Sequence, residues 1–397
     1  MTTAADKSEA RAIFDEVVEP EFNTSTPPSV KPFTVWTISK FRSWVEPADL
    51  NILGDGLLQK GGLAVVGGQG GVGKSRFALQ LAICQVLGLP FVGLDTYGEP
   101  QRWLFIGNEN SIARMKTDLD AMLSQFTDEQ IAVLEKQLFM QALVDTEDYF
   151  ISLGDEEIKA RWVQTLLEFR PTVLVADPFG NILDGDMLKD NDVRNTIAEL
   201  TKIARDADPM MAIVILHHAR TGRQNILQAV GWDRGNFLIG SKALYSAART
   251  VINMAPGDKE DSSRIVMSCG KSNNAKSFST AGLCLNETTH FYEIDPDFDL
   301  EAWEADVSGE RSGKEKKLTV QDIIDHIAAA GGKCDKRELK DALVEQFECS
   351  RFTVERRLKE GFQHQYFRAP TDGKTIHLTA KSKARKSITT DENEMPF

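Results

Sequence analysis

One short run, Gly68-Gln69-Gly70-Gly71-Val72-Gly73-Lys74-Ser75, has the residue types and spacing to grip a chain of phosphates. It fits the G-x-x-x-x-G-K-[ST] pattern and lies between an apolar run, Leu63 to Val66, and a helical one, Phe77 to Val86. Glycines at 68, 70, 71 and 73 let the backbone curl around Val72, so that successive N–H groups face an anion and the next helix adds its positive end. Lys74 is placed to reach the β- and γ-phosphates and Ser75 to ligate Mg²⁺, with Arg76 beside them in the same nucleotide-contacting group. ATP and Mg²⁺ are therefore the expected ligands.

Hydrolysis needs more than a cradle: an acid to orient the metal, a group to position water and a cation to meet the developing charge. Asp177 ends the run Val173-Leu174-Val175-Ala176, where it would help hold magnesium. Glu109 follows Trp103-Leu104-Phe105-Ile106-Gly107-Asn108, so its carboxylate would stand over the phosphates and activate the attacking water. His217-His218 closes the run Ala212 to Leu216, which brings an imidazole to the same rim to sense the γ-phosphate. The plainer alternatives are ordinary strand-end carboxylates and a structural histidine.

The elements that must hold these residues read as a largely parallel sheet covered by helices on both faces, an α/β fold. Expected strands are Leu63–Val66, Trp103–Ile106, Val173–Ala176, Ala212–Leu216, Thr250–Met254 and Arg264–Met267, with helices such as Glu156–Phe169 and Val193–Ala207. At 397 residues, with 42% hydrophobic and 26% charged side chains, the chain suits a large ATP-binding domain and a small second one. A loosely held arm is expected over 1–30, the nucleotide domain over 31–305, a polar linker over 306–317, a second domain over 318–380 and a basic then acidic tail over 381–397. The cysteines are scattered without a C-x-x-C pair, which points away from a disulfide framework or a zinc site. No apolar run suits a bilayer and no signal peptide is visible, so a cytoplasmic protein without membrane attachment is expected. The net charge of −13 argues against nonspecific clinging to nucleic acid but leaves room for a local basic surface.

That surface is expected in the second domain. Val320, Ile323, Ile324, Ile327 and Ala328 follow helical spacing up to Gly331-Gly332. Asp335 with Glu338 reads as a capping box for a helix burying Leu339, Leu343 and Phe347, and Ser350 as the cap of a third. The third helix turns Val354, Leu358 and Phe362 inward and leaves Arg351, Arg356, Arg357 and Lys359 to solvent. A hairpin follows, from Tyr366-Phe367-Arg368 through Pro370 and Asp372-Gly373 to Thr375-Ile376-His377-Leu378. Three short helices and a hairpin spell a winged helix-turn-helix, and residues 318–386 carry 14 Lys/Arg against 10 Asp/Glu. Duplex DNA or a protein partner would suit such a domain.

From roughly Val35 to Lys276 the chain resembles the RecA-like ATPases of the plasmid RepA-type hexameric replicative helicase family. Besides the phosphate loop, the matching pieces are Leu104 to Asn110, Val173 to Pro178, Ile215 to Arg220, Gly240 to Arg249 and Cys269 to Asn273. The resemblance implies a P-loop core, Glu109 as catalytic carboxylate, His218 as γ-phosphate sensor and Arg249 as an arginine finger serving a neighbouring subunit, with Lys271 a second cation there. It also implies a homo-oligomeric ring, a hexamer in that family, since no chain would complete its own site. Segments Asp184–Val193 and Thr221–Phe237 would then face the channel, the second offering Arg223, Arg234 and Trp232 to single-stranded DNA. The chain departs from the family at Asn110, where many relatives carry a second acid, and at Arg220-Thr221-Gly222, which replaces a lysine-containing step.

The final residues, Asp391-Glu392-Asn393-Glu394-Met395-Pro396-Phe397, resemble the acidic tip of bacterial single-stranded-DNA-binding proteins. That likeness implies a partner enzyme recognising Met395, Pro396 and Phe397. Two functions are thus expected: an oligomeric DNA helicase or translocase acting in replication or repair, or an ATP-gated DNA-binding regulator or accessory factor without helicase activity.

Overall fold

The computed structural model describes residues 33–240, 242–309, 318–347, 349, 351–369 and 374–381. The expected arm, most of the linker, Ser350, the turn at 370–373 and the tail with Met395, Pro396 and Phe397 lie outside them.

The chain divides after Pro47. Before that point a short helix, α1 (Ile38–Arg42), is capped by Thr37, whose hydroxyl accepts from the Lys40 N–H. Lys40 stands over the Trp36 ring, while Phe33, Val35, Ile38 and Val45 are exposed.

Beyond it, β1 (Asn51–Leu53) and β2 (Leu58–Gln59) form a small ribbon ahead of β3 (Leu63–Gly68) and helix α2 (Lys74–Leu87). There follow β4 (Trp103–Gly107), α3 (Ile112–Leu123), α4 (Asp128–Leu134), β5 (Leu138–Met140), α5 (Glu156–Phe169), β6 (Val173–Asp177), α6 (Phe179–Ile182), α7 (Asp190–Ala207) and β7 (Ala212–His218). Then come α8 (Arg223–Leu227), α9 (Lys242–Ala247), β8 (Thr250–Pro256), β9 (Arg264–Ser272), β10 (Ala281–Leu285), β11 (Tyr292–Ile294) and α10 (Leu300–Ser308).

These strands make a nine-stranded sheet ordered β11-β10-β9-β8-β3-β7-β6-β4-β5. From β8 to β5 neighbours run parallel, and β9 to β11 add antiparallel strands at one edge. Alternate residues bury on opposite faces: Val173 and Val175 join the layer with Phe77 and Ile83, Leu174 and Ala176 the layer with Trp162 and Leu200. Helix α2 is buried along most of its length, and glycines bracket it: Gly73 and Gly88 take left-handed dihedrals at its two ends.

Each expected strand is present and longer than its apolar run, because polar ends such as Asp177 and His217-His218 stay in register with their neighbours. The sheet also contains β5, β10 and β11, which the apolar runs did not announce. β5 and β11 are three-residue strands at the two edges of the sheet, and β10 lies next to β11.

The C-terminal part has a core of its own, including Ile323, Ile327, Leu339, Leu343, Val354, Leu358 and Ile376. Helices α11 (Val320–Ala329), α12 (Lys336–Phe347) and α13 (Arg351–Gln363) surround it with β13 (Phe367–Arg368) and β14 (Thr375–Leu378). The hairpin gains a third strand, β12 (Lys333–Asp335), paired along β14. Its residues, Lys333-Cys334-Asp335, carry no apolar alternation to reveal it. Asp335 caps α12 by accepting from the N–H groups of Arg337 and Glu338.

Candidate functional site

The phosphate loop joins β3 to α2 at the carboxyl end of the parallel strands. Gly71 and Gly73 have φ of 78° and 89°, which favour glycine. At Gly73 space excludes a side chain as well: a Cβ would lie 1.9 Å from the Tyr292 hydroxyl, which donates to the Val72 carbonyl at 3.0 Å. Tyr292 is fixed in turn by reciprocal bonds between its backbone and the buried Gln80 side chain. The far edge strand β11 thus props the loop from beneath, a role no local motif signals.

Lys74 is buried, and its ammonium donates to the carbonyls of Gly68 and Gln69, both at 3.1 Å. Burial pulls its pKa below the ordinary lysine value, against the opposing charges of Asp177 and Glu109. Ser75 Oγ donates to Asp177 Oδ2 at 2.5 Å. Asn110 Nδ2 meets the same two atoms, at 3.0 Å from Ser75 Oγ and 3.3 Å from Asp177 Oδ2. Burial raises the Asp177 pKa, although the Ser75 hydrogen bond works against it. The other oxygen, Asp177 Oδ1, is buried without a hydrogen-bond partner.

An unpartnered buried carboxylate oxygen beside a serine hydroxyl is costly unless another ligand satisfies it. Hard oxygen donors next to a phosphate cradle suit a hydrated magnesium ion, so the residues present fit the metal.

Glu109, two residues beyond the end of β4, meets His218 at the end of β7, with Glu109 Oε1 3.1 Å from His218 Nε2. Across the ring, His218 Nδ1 lies 3.5 Å from the Lys74 ammonium. An ammonium cannot accept, so Nδ1 is the bare nitrogen and Nε2 carries the proton given to Glu109. The segment that carries Glu109 is pinned on both sides. Asn108 donates to the Tyr149 carbonyl and accepts from Asn181, and Gly107 lies so near Asp177 that a Cβ would come within 2.1 Å of its carbonyl oxygen.

His217 is a different case. It is buried, Nε2 bonds the Ile239 carbonyl at 2.9 Å, its ring meets Phe179 edge-on, and burial lowers its pKa to about 4. That is a neutral structural imidazole holding the return of the loop after β7. The loop's stem is also tied to the phosphate loop, through Ala219 N–H to the Gly68 carbonyl and Gln69 Nε2 to the Arg220 carbonyl at 2.9 Å. Its body packs on α10 through Ile226, Val230, Phe237 and Trp303. Arg223 donates to the Asp306 carbonyl, and Trp232 stands fully exposed.

Arg76, expected among the nucleotide-contacting residues, has its side chain engaged elsewhere in this structure. Its guanidinium turns from the cradle to the buried Asp118, 2.7 Å away, in a cluster with Arg114 and His290. Burial would raise the Asp118 pKa, but hydrogen bonds from Arg114 and Arg76 outweigh it and hold the carboxylate low.

Arg249 and Lys271 are not brought to this cluster within one chain. Arg249 N–H bonds the carbonyl of Leu63, the first residue of β3, whereas the phosphate loop leaves from its last, Gly68. The intervening strand is about 17 Å long at the usual rise, beyond the reach of one side chain. Lys271 lies opposite Val251 at that same lower edge, its ammonium donating to the carbonyls of Tyr245 and Ser246. Burial and the Arg249 charge lower its pKa.

A phosphate loop at the start of a buried helix, with acids from adjacent parallel strands above it, defines a P-loop NTPase. A protein-family model described as an AAA domain matches residues 26–224, half of the sequence, and the chain belongs to that family. No curated protein matches it. The matched span contains Lys74, Ser75, Glu109, Asp177 and His218 but ends before Arg249 and Lys271.

Proposed function

We propose that this protein is a magnesium-dependent ATPase working as a homo-oligomeric ring of the RepA-type helicase kind, with nucleotide bound between subunits and DNA as its track. The observation that carries this reading is the separation of parts: the cradle and its acids occupy one end of the parallel strands, Arg249 and Lys271 the other. Head-to-tail stacking of copies would bring the two ends together, and a closed ring is the finite form of such stacking.

On nucleotide binding, Lys74 exchanges the carbonyls of Gly68 and Gln69 for phosphate oxygens. Ser75 and Asp177 would hold magnesium, which would supply positive charge against that of the phosphates. Glu109 orients the attacking water, and loss of the γ-phosphate alters the His218 contacts to Lys74 and Glu109. Because Ala219 and Arg220 are tied to the phosphate loop, that change passes into residues 220–237 and the exposed Trp232, which stacks on a base of single-stranded DNA. Residues 31–305 form the motor domain and 318–380 a winged helix that docks on duplex DNA or a partner.

One observation favours the second reading, an ATP-gated regulator or accessory factor without unwinding. Three cations among the described residues of the C-terminal part are paired with acids, Arg351 with Asp341, Arg357 with Glu360 and Lys340 with Glu355, which thins the positive face offered to DNA. Solution mass and turnover, each with and without single-stranded DNA, test the choice. Assembly on nucleotide and faster turnover with the strand support the motor; assembly with unchanged turnover supports the regulator. A monomer with full activity overturns both.

A further inference from the structure

We propose that Asn110 is the positioning residue of the magnesium half of the site, fixing the Ser75 hydroxyl and Asp177 so that Ser75 keeps one lone pair and Asp177 keeps its Oδ1 for the ion; this rests on the reading of the site as one for magnesium-bound nucleotide. A serine hydroxyl has one hydrogen and two lone pairs. Here the hydrogen goes to Asp177 Oδ2 and one lone pair accepts from Asn110 Nδ2, which leaves a single lone pair of defined direction. The same amide also donates to Asp177 Oδ2, so that oxygen is held by two donors while Oδ1 has none.

The amide orientation follows from chemistry. Asp177 Oδ2 only accepts when ionised, so the NH₂ end of Asn110 must face it. An ionised acid at 110 would only accept: it would compete with Asp177 for the one Ser75 hydrogen and add a like charge beside a buried carboxylate. The asparagine avoids both.

The backbone explains how a residue next to Glu109 turns the other way. Gly107 packs against Asp177 without a side chain, and Asn108 is anchored outward to Tyr149 and Asn181. The chain then climbs across the end of β6 before Ser111 caps α3 by accepting from the Arg114 N–H. Glu109 therefore faces His218, while Asn110 faces Ser75.

The test is calorimetric binding of a non-hydrolysable ATP analogue to the full-length protein, in magnesium and in EDTA, for wild type, Asn110→Ala and Asn110→Leu. Wild type binds more tightly with magnesium. Both variants are expected to lose about tenfold of that magnesium-dependent gain, while affinity in EDTA stays within about twofold of wild type. The leucine variant keeps the bulk of the side chain without its donors, which separates hydrogen bonding from packing, and either variant suffices if the other does not fold. An equal magnesium gain in wild type and a folded variant overturns the proposal, as does an equal loss in both buffers. A wild type indifferent to magnesium overturns the metal-site reading itself and the proposal with it.

Discussion

At the upper ends of β3, β4, β6 and β7, charged side chains answer one another: Lys74 is enclosed by Gly68, Gln69 and His218, Glu109 meets His218, and Asp177 meets Ser75 and Asn110. At the lower ends, Lys271 leans on the carbonyls of Tyr245 and Ser246, while Arg249 is exposed beside it. No acid is paired with either cation among the described residues. One end is thus built to receive an anion amid its own acids, the other to present positive charge outward. The contrast teaches that one end of a parallel sheet can be ordered around its own opposite charges while the other carries cations without acid partners among the described residues, and under the proposed assembly Arg249 would serve a neighbouring copy.

Complementation is the most severe way to break that comparison. Lys74→Ala and Arg249→Ala should each lower ATP turnover by about a thousandfold or more. Mixed together, they should regain measurable turnover at seams where an intact cradle meets an intact Arg249, read by a steady-state phosphate-release assay. A mixture as inactive as its components would remove the shared seam. Next in size, Glu109→Gln should reduce turnover by about 10²- to 10⁴-fold while analogue binding persists. Comparable loss of binding would make Glu109 part of the cradle rather than the group that orients water.

A smaller effect separates the two adjacent histidines. His217 titrates near pH 6.5 when unfolded and about 4 when folded because burial disfavours its cation, so the unfolded chain takes up the proton first as pH falls. Its contribution, up to about 3 kcal/mol, is complete above pH 6.5 and lost as the pH drops toward 4. Denaturant melts of wild type and His217→Gln should show a shallower acid slope in the variant; identical slopes would relocate the effect. Smallest of all, Trp232→Ala should leave stability within about 0.5 kcal/mol because the ring is solvent-exposed. It should still weaken single-stranded DNA binding by about tenfold in fluorescence anisotropy, and unchanged affinity would remove the ring from the DNA path.

Much of the upper edge was legible because its signals are local. The glycines, Lys74 and Ser75 sit between an apolar run and a helical one, and Asp177 and His218 each close a strand, while Glu109 follows one by two residues; the two-faced burial of these strands shows as continuous apolar residues. The supports were not legible. Tyr292 lies 220 residues from the Val72 carbonyl it braces, and Gln69 lies 151 from the Arg220 carbonyl it holds. Arg76 stands beside Ser75 in sequence yet belongs to Asp118, because its side chain leaves α2 on the side facing α3.

By itself the sequence determined the phosphate-gripping loop, the acids and histidine at or just beyond the strand ends, and the two-faced burial that makes the sheet, since these depend on neighbours a few residues apart. Only the tertiary structure decided which atoms share hydrogens: Asn110 with Ser75 and Asp177, His218 between Lys74 and Glu109, and Arg249 on the opposite edge. Those pairings follow from strand order and register, which bring together residues separated by most of a domain, and hydrogen bonds form only where such placement aligns donor with acceptor.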